Sequence, residues 1–226
     1  MPNPKPDSNW QAHLLRKRRK SSNSSLKKSN QTSDAPMVTK CLALDCEMVG
    51  VGRGGHRSAL AQVVVTNEHL QTVYSTYVLP QEDVIDYRTQ WSGVTEENLR
   101  SAKPFEEVQR HVFELIANRI LVGHDIRHDF KVLGLDHPRS LIRDTSKYKF
   151  FRIGLPSGTA PKLKMLSAKF LRETIQTGEH NPAEDANAAM KLYLKYRKRW
   201  ESDLKLKKTS KKETASNDVV SDKEDT

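Results

Sequence analysis

Cysteine is nearly missing from this 226-residue chain, which has only Cys41 and Cys46. An odd separation on a strand points the two side chains to opposite faces, so they cannot pair. No disulfide framework is expected, and a reducing compartment is. Long apolar runs are missing too. Nothing approaches the roughly 18–20 unbroken apolar residues of a membrane span, which excludes a membrane protein of that kind. No apolar segment of the sort that directs secretion follows Met1, and no repeat at solenoid periods is present. Acidic charge is outweighed, with 28 Asp and Glu against 38 Lys and Arg and a net charge of +10.

That excess is unevenly spread. Residues 37–136 hold 10 basic and 14 acidic side chains, whereas 137–199 hold 14 and 5. Separate acidic and basic faces suit a polyanion that must approach carboxylates without repulsion from the whole surface. Residues 1–36 are rich in Ser, Asn, Lys and Pro and are expected to be a disordered basic tail. Its Leu14-Leu15-Arg16-Lys17-Arg18-Arg19-Lys20 run suits a nuclear import receptor or RNA phosphates. Residues 201–226 are expected to be a disordered charged tail, which leaves a single domain over 37–200.

Within that domain the periodicity changes in order. Leu42, Leu44, Cys46 and Met48 alternate with Cys41, Ala43, Asp45 and Glu47, a strand with one apolar face. Residues 59–66 and 72–79 read as two further strands of an antiparallel meander. A helix is expected from Pro104 through Ile116, a short strand at 120–122 stopped by Gly123, and a helix over 125–133. Leu141-Ile142 is a strand candidate, and 162–172 and 182–200 are expected helices. Strands in a meander, then strands alternating with helices, predict an α/β fold with a mixed sheet.

Asp45 and Glu47 project from one face of the first strand, roughly 6–7 Å apart at Cα, close enough to share a divalent cation. Asp129 lies one helical turn after Asp125. His180 precedes the last helix, and Glu184 and Asp185 occupy its first turn, where acids also complement the helix dipole.

Three features recur in order: Asp-x-Glu on the first strand, Asp129 in Gly123-His124-Asp125-Ile126-Arg127-His128-Asp129-Phe130, and His180-x4-Asp185 at a helix start. Together they resemble the three motifs of the DEDDh, or DnaQ-like, 3′→5′ exonucleases. Leu44-Asp45-Cys46-Glu47-Met48-Val49-Gly50, Asp86-Tyr87-Arg88-Thr89-x-Trp91-Ser92-Gly93, His137-Pro138-Arg139-Ser140-x-x-Arg143-Asp144-Thr145 and Glu184-Asp185-Ala186 are similar to the branch of RNA exonuclease 4 and the interferon-stimulated 20-kDa exonuclease. The resemblance spans about residues 38–200. It implies a ribonuclease H-like fold, a five-stranded mixed sheet flanked by helices. It implies that Asp45, Glu47, Asp129 and Asp185 are the metal carboxylates, with His180 as general base. Met48 and Arg88 would contact substrate. An oxygen-donor cluster without cysteine suits two Mg²⁺ or Mn²⁺ ions better than Zn²⁺. The implied activity is 3′→5′ hydrolysis of single-stranded RNA, with DNA left open, to 5′-nucleoside monophosphates. The implied setting is ribosomal RNA processing in the nucleus and nucleolus.

One departure stands out. Relatives usually read Leu-Ala-Arg where this chain has Leu60-Ala61-Gln62. Three rival readings remain at this level. His124-Asp125 and His128-Asp129 present the pairs of HD-type phosphohydrolases, although those are all-helical. His124 and His128 have the spacing for Zn²⁺ on a helix, without a suitable third ligand nearby. A noncatalytic RNA-binding ribosome-assembly factor would retain the fold.

Overall fold

The alternation that starts at Cys41 continues further than expected, and strand β1 runs Cys41–Val51. The computed structural model describes residues 36–156 and 158–217, with side chains through 207. The basic tail expected at 1–36 lies outside the described residues except for Pro36, as do residues 218–226. The remaining strands are β2 (Arg57–Asn67), β3 (Thr72–Leu79), β4 (Val84–Asp86), β5 (Lys103–Pro104), β6 (Ile120–Gly123) and β7 (Ile142–Asp144). They form one mixed sheet in the order β5-β3-β2-β1-β6-β7, with β4 paired to β1. The five expected strands are all present. The two additions, β4 and β5, are three and two residues long, too short to carry a periodic signal.

β1, β2 and β3 form the antiparallel meander, with Glu47 opposite Gln62 and Val64 opposite Ser75. β6 runs parallel to β1, and β7 parallel to β6. The pairing of β6 with β1 covers only Cys41 to Ala43, and β4 takes up the same flank of β1 from Gly50. The stretch of β1 between them therefore has a strand neighbour on one side only. That notch holds Asp45 and Glu47.

Helices α1 (Thr89–Ser92), α2 (Glu96–Arg100) and α3 (Phe105–Ile116) lead to β6. α4 (Arg127–Leu133) follows β6, and α5 (Leu163–Leu166) runs into a π-helical turn over Ser167–Leu171. The last helix, α6, spans Pro182–Asn217. Asn181 caps it, its Oδ1 accepting from the Ala183 N–H at 3.0 Å. Ala186, Ala189, Met190 and Tyr193 of α6 pack in one cluster with Cys41 and Ala43, the same face of β1 that carries Asp45 and Glu47.

Rise explains how the two ends meet. From Cys41 to Glu47 the strand advances about 20 Å. From Asp185 to Arg197 the helix advances about 18 Å. Arg197 lies 3.6 Å from the Cys41 sulfur, and the Asp185 carboxylate acts electrostatically on Glu47. α6 thus runs antiparallel along β1 and delivers its first turn to the two acids.

The domain boundary expected at 200 is passed without a break, because α6 continues to Asn217. Arg143, 5% exposed, donates from Nε and Nη2 to Glu201 at 2.7 and 2.9 Å, and the Tyr193 hydroxyl donates to the same carboxylate at 3.0 Å. The Tyr148 hydroxyl donates to Asp203 at 2.8 Å. Glu201→Ala leaves the Arg143 guanidinium buried without its counter-charge. We expect a loss of about 2–3 kcal/mol, discounted because Glu201 is partly exposed. The thermal midpoint is then expected to fall by roughly 5–10 °C, and an unchanged melting curve would contradict this.

Candidate active site

The Asp45/Glu47 notch is closed by α4 on one side and by the first turn of α6 above. Gly123 ends β6, and a Cβ there would meet the Ile126 side chain at 2.8 Å, so the chain turns tightly into α4. Asp129 then reaches β1. Its carboxylate accepts hydrogen bonds from the Cys46 thiol and from the Cys46 and Asp129 backbone amides. Cys46, expected on the packed apolar face, is indeed 8% exposed, but it also serves as a donor to Asp129.

Four carboxylates converge here with little solvent. Glu47, Asp129 and Asp185 are 7%, 4% and 4% exposed. Burial, then the charges of Asp129, Asp185 and Glu47, hold the Asp45 carboxyl well above its ordinary range. Burial, then Asp185 and Asp129, push Glu47 up to about 8. Burial raises Asp129 to about 7 against the hydrogen bonds from Cys46. Asp185 is raised by burial, against a hydrogen bond from Gln176 and the charge of His180. Four groups that each resist ionisation because of burial or of one another form a site that favours added positive charge.

His180 stands beside them. Its Nδ1 lies 3.6 Å from Asp185 Oδ2, and its ring is partly exposed. Its backbone N–H donates to the Trp91 carbonyl at 2.8 Å, which pins the His180 loop to α1. α1 is itself tied down by the motif around it. The Asp86 carboxylate accepts the Arg88 N–H at 2.9 Å, Thr89 Oγ1 donates to the Val94 carbonyl at 2.7 Å, and Ser92 Oγ donates to the Tyr87 carbonyl at 2.9 Å.

Arg88, expected to contact substrate, adopts a left-handed φ of 51°. Its guanidinium donates to Ser58 Oγ at 2.9 Å and to the Gly55 carbonyl at 2.8 Å. The same Gly55 carbonyl would lie 2.3 Å from a Cβ on Gly50, so glycine is required where β1 meets this loop. In this structure Arg88 therefore braces the glycine loop. Met48 follows Glu47 at a register shift of the β1–β2 pair and is partly exposed.

The reading of the residues missed Gln176. Its side-chain amide donates to Asp185 Oδ2 at 2.8 Å, and its backbone N–H donates to Glu184 at 3.0 Å. A left-handed φ of 55° holds it there. No periodic or compositional signal marks a lone loop glutamine. His124 and His128 do not share a site. Burial holds His124 below its ordinary pKa, and its Nδ1 engages the Thr145 hydroxyl at 2.8 Å, whereas His128 faces Asp125 at 3.2 Å. The HD-type and zinc readings are thereby removed.

Among the described residues, no three His, Cys, Asp or Glu side chains form a ready-made metal shell. The donor set nonetheless fits a hard cation. Asp185 Oδ1 is buried without a hydrogen-bond partner, and every converging side-chain donor is oxygen.

Gln62 occupies the position opposite Glu47, on the same face of the sheet. It is neutral, so it leaves the acids uncompensated. Gln62→Arg is expected to lower the Glu47 carboxyl toward its ordinary range and to raise the melting midpoint of the metal-free chain at pH 8 by a few degrees, about 1 kcal/mol. No gain at pH 8, or an equal gain at pH 4 where the acids are protonated, would show that residue 62 does not act on them.

The family RNase_T, described as "Exonuclease", matches residues 42–193. The chain is 48% identical over 172 residues to RNA exonuclease 4 of Xenopus laevis, covering 76% of this chain and 41% of that protein. It is 50% identical over 165 residues to RNA exonuclease 4 of Homo sapiens, covering 73% and 39%. It thus spans about two-fifths of the length of these relatives. Its fold is similar to that of the Saccharomyces cerevisiae Pan2 pseudoubiquitin hydrolase-RNA exonuclease module in complex with AAUUAA RNA. The TM-score is 0.62 at 26% identity, covering 81% of this chain and 33% of that one.

Proposed function

This chain belongs to the RNase_T family of DEDDh exonucleases, on the RNA exonuclease 4 branch, and from that premise we propose that it shortens single-stranded RNA from the 3′ end, releasing 5′-nucleoside monophosphates in a reaction that needs divalent cations. The observation that carries this reading is the convergence beside His180 of four charge-resisting carboxylates, three buried and Asp45 half-buried.

Asp45, Glu47, Asp129 and Asp185 would hold two Mg²⁺ or Mn²⁺ ions, which supply positive charge to the phosphate and polarise the attacking water. The chain's own residues do the rest. His180, on a partly exposed loop beside Asp185, accepts the proton of the attacking water as a P–O bond forms to it. The bond from phosphorus to the 3′ oxygen of the penultimate nucleotide breaks, and that oxygen ends protonated as the new 3′ terminus. Asp185, held by Gln176 at 2.8 Å, orients the His180 ring. Met48, partly exposed next to Glu47, would contact the terminal nucleotide. The same reading assigns the chain to precursors of ribosomal RNA in the nucleus and nucleolus. The resemblance and the basic run at 14–20 support that assignment.

The test is release of nucleoside 5′-monophosphates from matched 3′-labelled RNA and DNA oligonucleotides, with Mg²⁺, Mn²⁺ or EDTA. Cation-dependent release of the 3′ label from RNA as a nucleoside 5′-monophosphate is expected. Binding of RNA without release under any cation would overturn the reading in favour of a noncatalytic RNA-binding factor.

A further inference from the structure

On a face of α4 adjacent to that of Asp129 lies a cavity of about 420 Å³, between α4, the edge strand β7, the segment after it and α6. Its apolar lining is formed by half-buried Phe130 and Ile142 over the largely buried Tyr148–Trp200 pair, whose rings stack with centroids 3.9 Å apart. Arg127, Arg139, Lys147, Lys149 and Lys207 surround it, against only Asp144 and Asp203. Both acids are already engaged. Asp203 accepts from the Tyr148 hydroxyl, and Asp144 accepts from Lys147 at 2.8 Å and from Ser146 at 2.7 Å. Burial would raise the Asp144 carboxyl, but the hydrogen bonds from Lys147 and Ser146 outweigh it and hold it below its ordinary value. Arg139 and Lys149 are exposed and make no ion pair among the described residues.

Arg139, Lys147 and Lys149 bring part of the basic excess of residues 137–199 to this cleft, and it adjoins the acid cluster through a single helix. Asp129 and Phe130 are consecutive, one facing the catalytic acids and the other the cleft. We propose that the cleft is a second subsite for single-stranded RNA, holding a stretch upstream of the scissile bond by its phosphates and seating a base against the apolar floor. Apolar aromatic surface interleaved with cations is the composition that binds single strands without sequence preference. An acidic peptide would satisfy the cations but would leave the apolar floor unused. The direction of the strand rests on the exonuclease reading. Binding at the cleft does not.

The test compares the wild-type chain with Arg139→Glu/Lys149→Glu and with a control of equal charge change, Lys162→Glu/Lys198→Glu, two exposed residues outside the cleft. Fluorescence anisotropy with a 20-nucleotide RNA in EDTA reads binding without turnover. The cleft variant is expected to bind at least about 10-fold more weakly than the control. Its log K against log salt slope is expected to fall by about 1.4, the value for two lost phosphate contacts on a single strand. Equal weakening in both variants would mean that net charge alone drives binding, and the subsite would be refuted. A polyglutamate peptide that binds as tightly as the RNA and is lost in the same variant would also refute it, in favour of an acidic protein partner. Wild-type chain that binds RNA through the cleft yet releases no nucleotide with Mg²⁺ or Mn²⁺ would overturn the exonuclease reading and leave the cleft standing.

Discussion

Asp129→Asn is expected to cut nucleotide release by about 10³-fold or more while leaving the metal-free chain as stable as the wild type, or more stable. The two effects have one cause. Asp129 is 4% exposed and is pushed up to about 7 by burial, so the folded chain resists its charge. Asparagine fills nearly the same volume and its Oδ1 still accepts from the Cys46 amide, so folding loses little. Binding a cation and stabilising a phosphorane-like transition state need the full negative charge, and removing an electrostatic contributor of that kind from a water-poor site ordinarily costs factors of this size. Release assays and thermal melts on the same preparations check both halves. Near-wild-type release would remove Asp129 from the catalytic set. Lost release together with a large fall in the melting midpoint would mean that the residue is needed mainly for folding.

The second large effect is on stability against pH without metal. Glu47 rises from an ordinary 4.5 to about 8 in the folded chain, and Asp129 from 3.8 to about 7. A carboxyl whose pKa is raised by folding keeps its proton in the native state after the unfolded chain has released it. The native state then binds more protons, and stability falls as pH rises. The contribution is fully present below about pH 4 and is lost through about pH 8. Over that window we expect the metal-free chain to lose several kcal/mol, on the order of 10 °C in melting midpoint. Millimolar Mg²⁺ or Mn²⁺ at pH 8 is expected to recover most of it, because a ligand bound only by the folded state stabilises it. Sodium chloride at matched ionic strength is expected not to. A flat profile between pH 5 and pH 8 in EDTA, or equal recovery by sodium chloride, would show that the four acids do not form a cation site.

Much of the fold was legible because the relevant signals are local. The alternation at 41–48, the Val-rich strand that follows, and the helical spacing of Ala186, Ala189, Met190 and Tyr193 each report a face that must be covered. β4 and β5 escaped because two or three residues cannot display a period. The end of the domain escaped for a different reason. Residues 201–217 are as polar as a disordered segment, and a helix that turns Glu201, Asp203 and Leu204 inward among its described side chains needs few apolar residues to be held.

The candidate site divides along the same line. Asp45 and Glu47 were readable as a pair because strand geometry alone puts them on one face. Asp129, His180 and Asp185 were named through resemblance. Gln176 was invisible, since its role depends on a left-handed turn that brings an ordinary amide to Asp185. Arg88 was readable as a motif residue, but its bonds to Ser58 and Gly55 were not.

The sequence by itself determined the order of the longer strands and helices, the like-charged pair on β1 and the crowding of basic residues after 137, because period and charge are properties of neighbours along the chain. Only the tertiary structure decided that α6 lies antiparallel on β1, that α4 fills the notch between β6 and β4, and that the acids and the cleft's cations meet different faces of α4. Those arrangements come from which apolar faces bury one another, and that is settled between segments distant in sequence.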